Sequence, residues 1–513
     1  MTLQTLQRTA SYAGMAKDAI QLRSRSEHAQ RRAHEHLSRR MGKLKGLPQK
    51  VGQMLSFTSS RDENDFSSAY SSLQEASEPL PWDVIRGLLE AAWNQEVSQV
   101  LASIETEGHA ASLGQVHRGC LHDGREVAIK VQYPGIHQAV QTDMKALGWL
   151  SIPLGNLRRG FDLSDYHQIV AEDLQQELNY EQEAAHQREL YNSWQGNPSV
   201  VIPQVVESLS SKTILVSHWE DGETWDEVRE SWSEADRKQM ASVLLEFFLT
   251  GLFQHGLMQA DWHPGNVRFR KSSHGPQLVL YDFGCMARPG LSTRLALSRL
   301  IQATMRRNES PLALLLALGF DREYLEPLAA KLPAVCSILF EPFCVSYPYD
   351  MCDWKLSERL EAVLGVDRWN FRIAGPASFI FILRSFQGLT HYMNGLGTAR
   401  SWQTAFGNAI CPLQFQIDHL KVPSVATRSD FGGLSTHLKI RVLEQGRTKV
   451  QLTQAANNIE RLGELLDDDL KQRILDEDID LSKILADVRS RGYAPGCVFH
   501  LTRGEKQVEV SLE

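Results

Sequence analysis

Residues 260–284 read ADWHPGNVRFRKSSHGPQLVLYDFG, and a short signature stands at each end of this stretch. The first carries Asp261 and, five positions later, Asn266; the second carries Asp282, 21 residues after Asp261. The interval leaves room for a loop and a short hairpin. The apolar run LVLY at 278–281 reads as a strand that delivers Asp282 to its end, facing a cleft. Upstream, VAIK at 127–130 ends an alternating strand on Lys130. In this order the segments supply what phosphoryl transfer needs: a cation on the phosphates, a carboxylate at the acceptor, and an amide with a second carboxylate for Mg²⁺. Alone, Asp261 reads as a solvated loop aspartate and Lys130 as a solvent-facing strand residue.

The Asp261-to-Asn266 interval is that of the kinase catalytic loop. A lysine beside phosphates needs an acidic partner, and QELNYEQEA offers Glu177, Glu181 and Glu183. At about 3.6 residues per turn, positions 177 and 183 lie about 120° apart on a helix, so both cannot face one lysine. Glu181 lies nearer the Glu177 side, so Glu183 is assigned to Lys130 and Glu177 is left for another partner. Before the strand, where a kinase has glycines, the chain has His109-Ala110-Ala111-Ser112-Leu113-Gly114. Alanine restricts φ and the approach of backbone N–H groups to phosphates, so a stiffer loop with altered nucleotide preference is expected.

Around these motifs the chain predicts two or three folding units, since 513 residues exceed one ordinary core. Residues 1–101 read as a helical extension, basic over its first 47 residues, with Trp82–Trp93 showing helical periodicity. The basic arm is either a solvated helix or a surface helix touching anionic lipid. Residues 102–220 read as a strand-rich lobe: a hairpin through His122–Gly124, then a broken helical stretch from Ile136 to Trp194, then strands at Val205–Leu209 and Thr213–Trp219. Glu220-Asp221-Gly222 reads as a hinge into a helical lobe, 221–421. After a linker at 422–433, residues 434–513 read as a compact α+β module of two hairpins and two acidic helices.

A net charge of −8 argues against a nucleic-acid-binding protein. Seven scattered cysteines without a CxxC pair, and a start lacking an apolar core, suggest reduced thiols in a cytoplasmic setting. The longest apolar runs, at Leu312–Phe320 and Phe379–Leu383, fall short of the ~18–20 residues of a membrane span.

The combination LPQKVGQ, AASLGQVH, VAIKVQYPGI, ELNYEQEA, ADWHPGN and DFG closely resembles the UbiB/AarF family of atypical protein-kinase-like proteins, over roughly residues 40–410. The resemblance implies an α+β, bilobal kinase-like fold that binds ATP or ADP with Mg²⁺. Extra N-terminal helices carrying Lys50 and Gln53 of the K-x-G-Q segment would cover the cleft where a peptide would enter. It implies that Ala110, Ala111, Ser112, Gly114, Gln115 and Val116 cradle the nucleotide with Lys130, and that Glu183 partners Lys130. Asp261 would be the catalytic-loop aspartate, Asn266 and Asp282 the metal ligands, and Glu177 would latch onto Lys50. The implied activity is ATP hydrolysis or phosphorylation of a small or lipid-like acceptor, tied to isoprenoid-quinone metabolism at membranes, not conventional peptide phosphorylation. A nucleotide-gated lipid- or protein-binding scaffold is the alternative, with 434–513 contacting a partner and the basic arm touching the inner face of a membrane. The chain departs from the family at Glu177-Leu178-Asn179, where Asn179 replaces the aspartate of an E-x-D element. A membrane-spanning tail like that of some relatives is not expected, since 434–513 read as an α+β module instead.

Overall fold

The computed structural model describes residues 79–141 (Ser112 and Ala139 apart), 178–426 and, with short gaps, 434–513. Lys50, Gln53, Ser112 and Glu177, the basic arm and most of the stretch from Ile136 to Trp194 lie outside the described residues. The chain forms two compact units. One extends to Pro289 and includes Ala377–Thr398; the other comprises Gly290–Pro376 and Ala399–Glu513.

In the first unit, helix α1 (Trp82–Trp93) is followed by an antiparallel sheet of β1 (Leu101–Ile104), β2 (His109–Ala110), β3 (Gly114–Leu121) and β4 (Glu126–Gln132). The β3–β4 turn closes at Gly124, whose φ of +87° suits glycine, and Asp123 Oδ1 accepts the Arg125 N–H at 3.0 Å. Alternation along β4 sends Val127, Ile129 and Val131 into a core with Ile85 and Leu89 of α1. Lys130 therefore emerges on the opposite face. Helix α2 (Tyr180–Trp194) precedes β5 (Val200–Val201) and β6 (Ile214–His218), and β6 pairs with β4 so that Leu215 faces Lys130.

Val205–Leu209, expected as a strand, makes one bridge, Val205 to Ser217, and then coils into a 3₁₀ turn over Glu207–Leu209. Turn chemistry outweighs strand propensity there. Ser210 Oγ accepts the Val216 N–H at 3.0 Å, while Ser210 N–H returns to the Glu207 carbonyl.

Beyond α3 (Trp225–Ser231) and α4 (Glu234–Thr250), strand β7 (Met258–Gln259) leads into the Asp261 loop. The hairpin of β8 (Val267–Ser272) and β9 (Gly275–Leu280) follows, turning at Gly275 with φ +105°. Strand β10 (Met286–Ala287) then pairs with β7, Met286 opposite Gln259 and Ala287 opposite Met258. That ladder lays the loop after β7 beside the loop before β10, and so brings the two aspartate signatures together.

Helix α5 (Phe379–Leu396) buttresses the Asp261 loop. Ser385 Oγ accepts the Trp262 indole N–H at 3.0 Å, and the Tyr392 hydroxyl donates to the Trp262 carbonyl at 3.0 Å. Gly388 makes this approach possible, since a Cβ there would lie 2.2 Å from Trp262 Cβ. Gly388→Ala is expected to destabilise the first unit by about 1–3 kcal/mol through overpacking, read as a lowered thermal transition. An unchanged transition would show that the helix can retreat freely.

The second unit holds helices such as Leu291–Arg306 and a four-stranded antiparallel sheet ordered β12-β11-β14-β13. Its strands are β11 (His437–Glu444), β12 (Arg447–Ala455), β13 (Gly496–Arg503) and β14 (Lys506–Leu512). One sheet face buries Leu438, Ile440, Val508 and Val510 against Ile459, Leu462 and Val488, the last on α6 (Leu481–Ser490). Among the described residues no helix is long and apolar enough to cross a membrane.

Candidate active site

Lys130 lies between two carboxylates, its Nζ 2.7 Å from Glu183 Oε1 and 3.2 Å from Asp282 Oδ2. The Tyr180 ring centroid is 5.1 Å from the same nitrogen. Burial by itself would push the ammonium down, but Asp282 and Glu183 together hold it well above its ordinary value. Glu183, only 1% exposed, is pushed up by burial while Lys130 pulls it back. Its helix starts on Asn179, whose side chain accepts the Glu181 N–H at 3.1 Å. The residue that departs from the E-x-D pattern is therefore an N-cap, a place asparagine and aspartate fill about equally well.

The segment after β9 is tied to α2 at several points. Phe283 N–H points to Glu183 Oε1 at 3.4 Å, and His186 Nδ1 lies 3.1 Å from the Phe283 carbonyl. Arg288 grips Glu189 with two contacts of 2.7 and 2.6 Å. Asp282 Oδ1 accepts the Gly284 N–H at 2.9 Å. Gln259, 1% exposed, joins the two loops: its amide nitrogen donates to the Asp282 carbonyl and its Oε1 accepts the Asp261 N–H.

In the neighbouring loop, Asp261 Oδ1 is 3.0 Å from Nη2 of Arg384, a buried arginine on α5. Arg384 was not among the site residues read from the sequence. The missed signal was an arginine inside FIFILRSF, where a buried guanidinium requires an anionic partner. Asn266 Nδ2 donates to the Asp261 carbonyl at 3.3 Å, leaving Oδ1 with no donor among the described residues. His263 Nδ1 accepts the Gly265 N–H at 3.0 Å, and burial lowers its pKa, so the neutral ring carries its proton on Nε2.

In the alanine-rich loop, Ala111 N–H bonds the Gly114 carbonyl at 2.8 Å, and Ala110 pairs with Gln115 across β2 and β3. Gly114 admits no side chain, because a Cβ would lie 2.2 Å from the Val131 carbonyl oxygen and 2.9 Å from the Tyr180 hydroxyl. Val116 sits directly opposite Lys130 in the ladder, on the same face. Gln115 points the other way. Its Oε1 accepts the Leu80 N–H at 2.7 Å and its Nε2 lies 2.9 Å from His117 Nε2, so only its backbone faces the Lys130 side.

A lysine on the inner strand face, a buried glutamate from the following helix, and two adjacent aspartate loops define a protein-kinase-like fold. The donors at its centre, Asp282 carboxylate and Asn266 Oδ1, are hard oxygens of the kind Mg²⁺ takes, in the small number Mg²⁺ commonly accepts from protein. Residues 72–315, just under half of the chain, match the ABC1 atypical kinase-like domain. This bears out the resemblance drawn from the motifs. The chain is 30% identical over 268 residues to the uncharacterized protein slr0889 of Synechocystis, covering 50% of this chain and 65% of that one. It is 28% identical over 331 residues to the rat mitochondrial atypical kinase COQ8B, covering 63% and 61%. It is 30% identical over 247 residues to the probable protein kinase UbiB of Xylella fastidiosa, covering 46% and 44%. The matches thus span less than two-thirds of these relatives' own lengths. Among solved structures, the Rv3197–erythromycin complex from Mycobacterium tuberculosis shares the fold at TM-score 0.53 and 24% identity, covering 75% of this chain and 97% of that one.

Proposed function

We propose that the chain is an atypical kinase or ATPase that binds ATP or ADP with Mg²⁺ and transfers the phosphoryl group to water or to a small, lipid-like acceptor. The observation that carries this reading is the Lys130–Glu183–Asp282 cluster, set beside the Asp261–Asn266 loop by the β7–β10 ladder. Lys130, fixed by Glu183, would bind the phosphates, with the Ala110–Gly114 turn and the Gln115–Val116 backbone above them. Asn266 and Asp282 would hold Mg²⁺, which when bound offsets charge on the phosphate oxygens. Asp261, oriented by Arg384, would align the acceptor hydroxyl.

Lys50 and Glu177 are assigned a latch over the cleft, on family resemblance. The kinship with proteins named COQ8B and UbiB supports a place in isoprenoid-quinone metabolism, with the basic N-terminal arm making peripheral membrane contact. The Asp261–Arg384 ion pair favours a second reading, since it already engages the carboxylate that an acceptor hydroxyl would need: a nucleotide-gated scaffold with little turnover.

Phosphate release from ATP, measured with and without anionic liposomes or a phenolic quinone precursor, separates the two. Asp261→Asn is expected to keep nucleotide binding and to lower turnover by about 10²–10⁴, the scale of a lost acid–base group. Tight nucleotide binding with no turnover under any of these conditions would select the scaffold.

A further inference from the structure

Gln259 ends β7, and its side chain lies between the two aspartate loops. Its main chain is fixed from two directions. The carbonyl accepts the Trp262 indole N–H at 2.9 Å and the Ser385 hydroxyl at 2.8 Å, and the residue stands opposite Met286 in the β7–β10 ladder. From that base the buried amide reaches both loops: its nitrogen donates to the Asp282 carbonyl, and its oxygen accepts the Asp261 N–H at 3.3 Å. The opposite orientation would set oxygen against oxygen and N–H against N–H, so the two bonds fix the amide one way round. Asn266 Nδ2 in turn donates to the Asp261 carbonyl at 3.3 Å. A continuous hydrogen-bonded path therefore runs from the Asn266 side chain, through the Asp261 backbone and the Gln259 amide, to the Asp282 backbone. Its two ends are the residues assigned to Mg²⁺.

We propose that Gln259 is a positioning residue that sets the spacing between Asn266 and Asp282, and with it the preference of the site for Mg²⁺ over larger divalent cations. This rests on the Mg-nucleotide reading above. Both polar ends of Gln259 are engaged by backbone groups, so it acts through the two loops and not on the metal itself. Mg²⁺ demands near-ideal octahedral geometry at short distances, whereas Ca²⁺ accepts longer and more irregular ones. Loosening the spacing of two ligands therefore costs Mg²⁺ more than Ca²⁺.

Gln259→Met keeps an unbranched side chain of similar length and removes both hydrogen bonds. The test is a thermal-shift titration of the full chain with ADP, at rising Mg²⁺, at rising Ca²⁺ and with no metal. The variant is expected to need about tenfold or more Mg²⁺ for half-maximal stabilisation, the scale on which lost outer partners weaken metal sites. The change for Ca²⁺ should be smaller, and the response to metal-free ADP should be that of the wild type. Gln259→Asn keeps the amide but is one methylene too short to span both loops. It should shift the Mg²⁺ requirement in the same direction, and it carries the test if the first variant does not fold. A folded variant with the wild-type Mg²⁺ requirement would overturn the proposal and leave the nucleotide reading standing. Equal losses for Mg²⁺, Ca²⁺ and metal-free ADP would make Gln259 a structural residue only and overturn it as well. A wild-type chain whose response to ADP is indifferent to Mg²⁺ would remove the metal assignment itself, and this proposal with it.

Discussion

Asp282→Asn is expected to abolish the Mg²⁺-dependent stabilisation of the chain by ADP or ATP in a thermal-shift titration. The substitution keeps the shape of the side chain and removes its charge. Asp282 lies at the end of β9 with one oxygen taking the Gly284 N–H and the other 3.2 Å from Lys130 Nζ. An amide there offers the metal one neutral oxygen, and it also withdraws one of the two carboxylates that hold Lys130. Both changes weaken the grip on a metal-bound triphosphate, and the first removes most of it. Without ligand, the variant should melt close to wild type, because Glu183 still partners the lysine. A variant that responds fully to Mg-nucleotide would take Asp282 out of the metal site.

Lys130→Ala is expected to lower the stability of the first unit by about 3–5 kcal/mol, the usual cost of leaving a buried charge alone. The stranded group is Glu183, 1% exposed and 2.7 Å from the missing ammonium. Urea unfolding followed by tryptophan fluorescence measures the loss, and the double variant Lys130→Ala/Glu183→Ala should recover much of it. If the single and double variants unfold alike, the pair contributes no coupling.

The pH dependence has a definite sign. In the wild type Lys130 has a folded pKa above its unfolded value of about 10.4, so its contribution is complete below that pH and fades as pH rises through the folded value. In Lys130→Ala the unpaired Glu183 has a raised folded pKa. Its penalty should therefore be absent below the unfolded value of about 4.3 and grow as pH rises.

Much of the first unit was legible because its signals are local. Period-two alternation at 125–133 and the His122–Gly124 turn specify the hairpin, and the aspartate spacing specifies the paired loops. The pairing of Glu183 with Lys130 was among the readings the sequence supplied. Arg384 was hidden because it lies 123 residues from Asp261, and only the packing of α5 brings them together. The register sets the faces of β3: Val116 shares a face with Lys130, and the Gln115 side chain points to Leu80 and His117. At Val205–Leu209 branched residues suggested a strand, but Ser210 captured the backbone donor that a strand partner would have used.

The ties between α2 and the segment 282–288 make those two stretches a single lever. Glu183, His186 and Glu189 lie on successive turns of one helix, and each holds a different point of the chain that follows β9. A displacement of the helix would therefore be passed to Asp282, and the lysine, the proposed metal-side carboxylate and the helix would engage or disengage together. Anything that pulls on α2 would act as a clutch on the proposed catalytic centre.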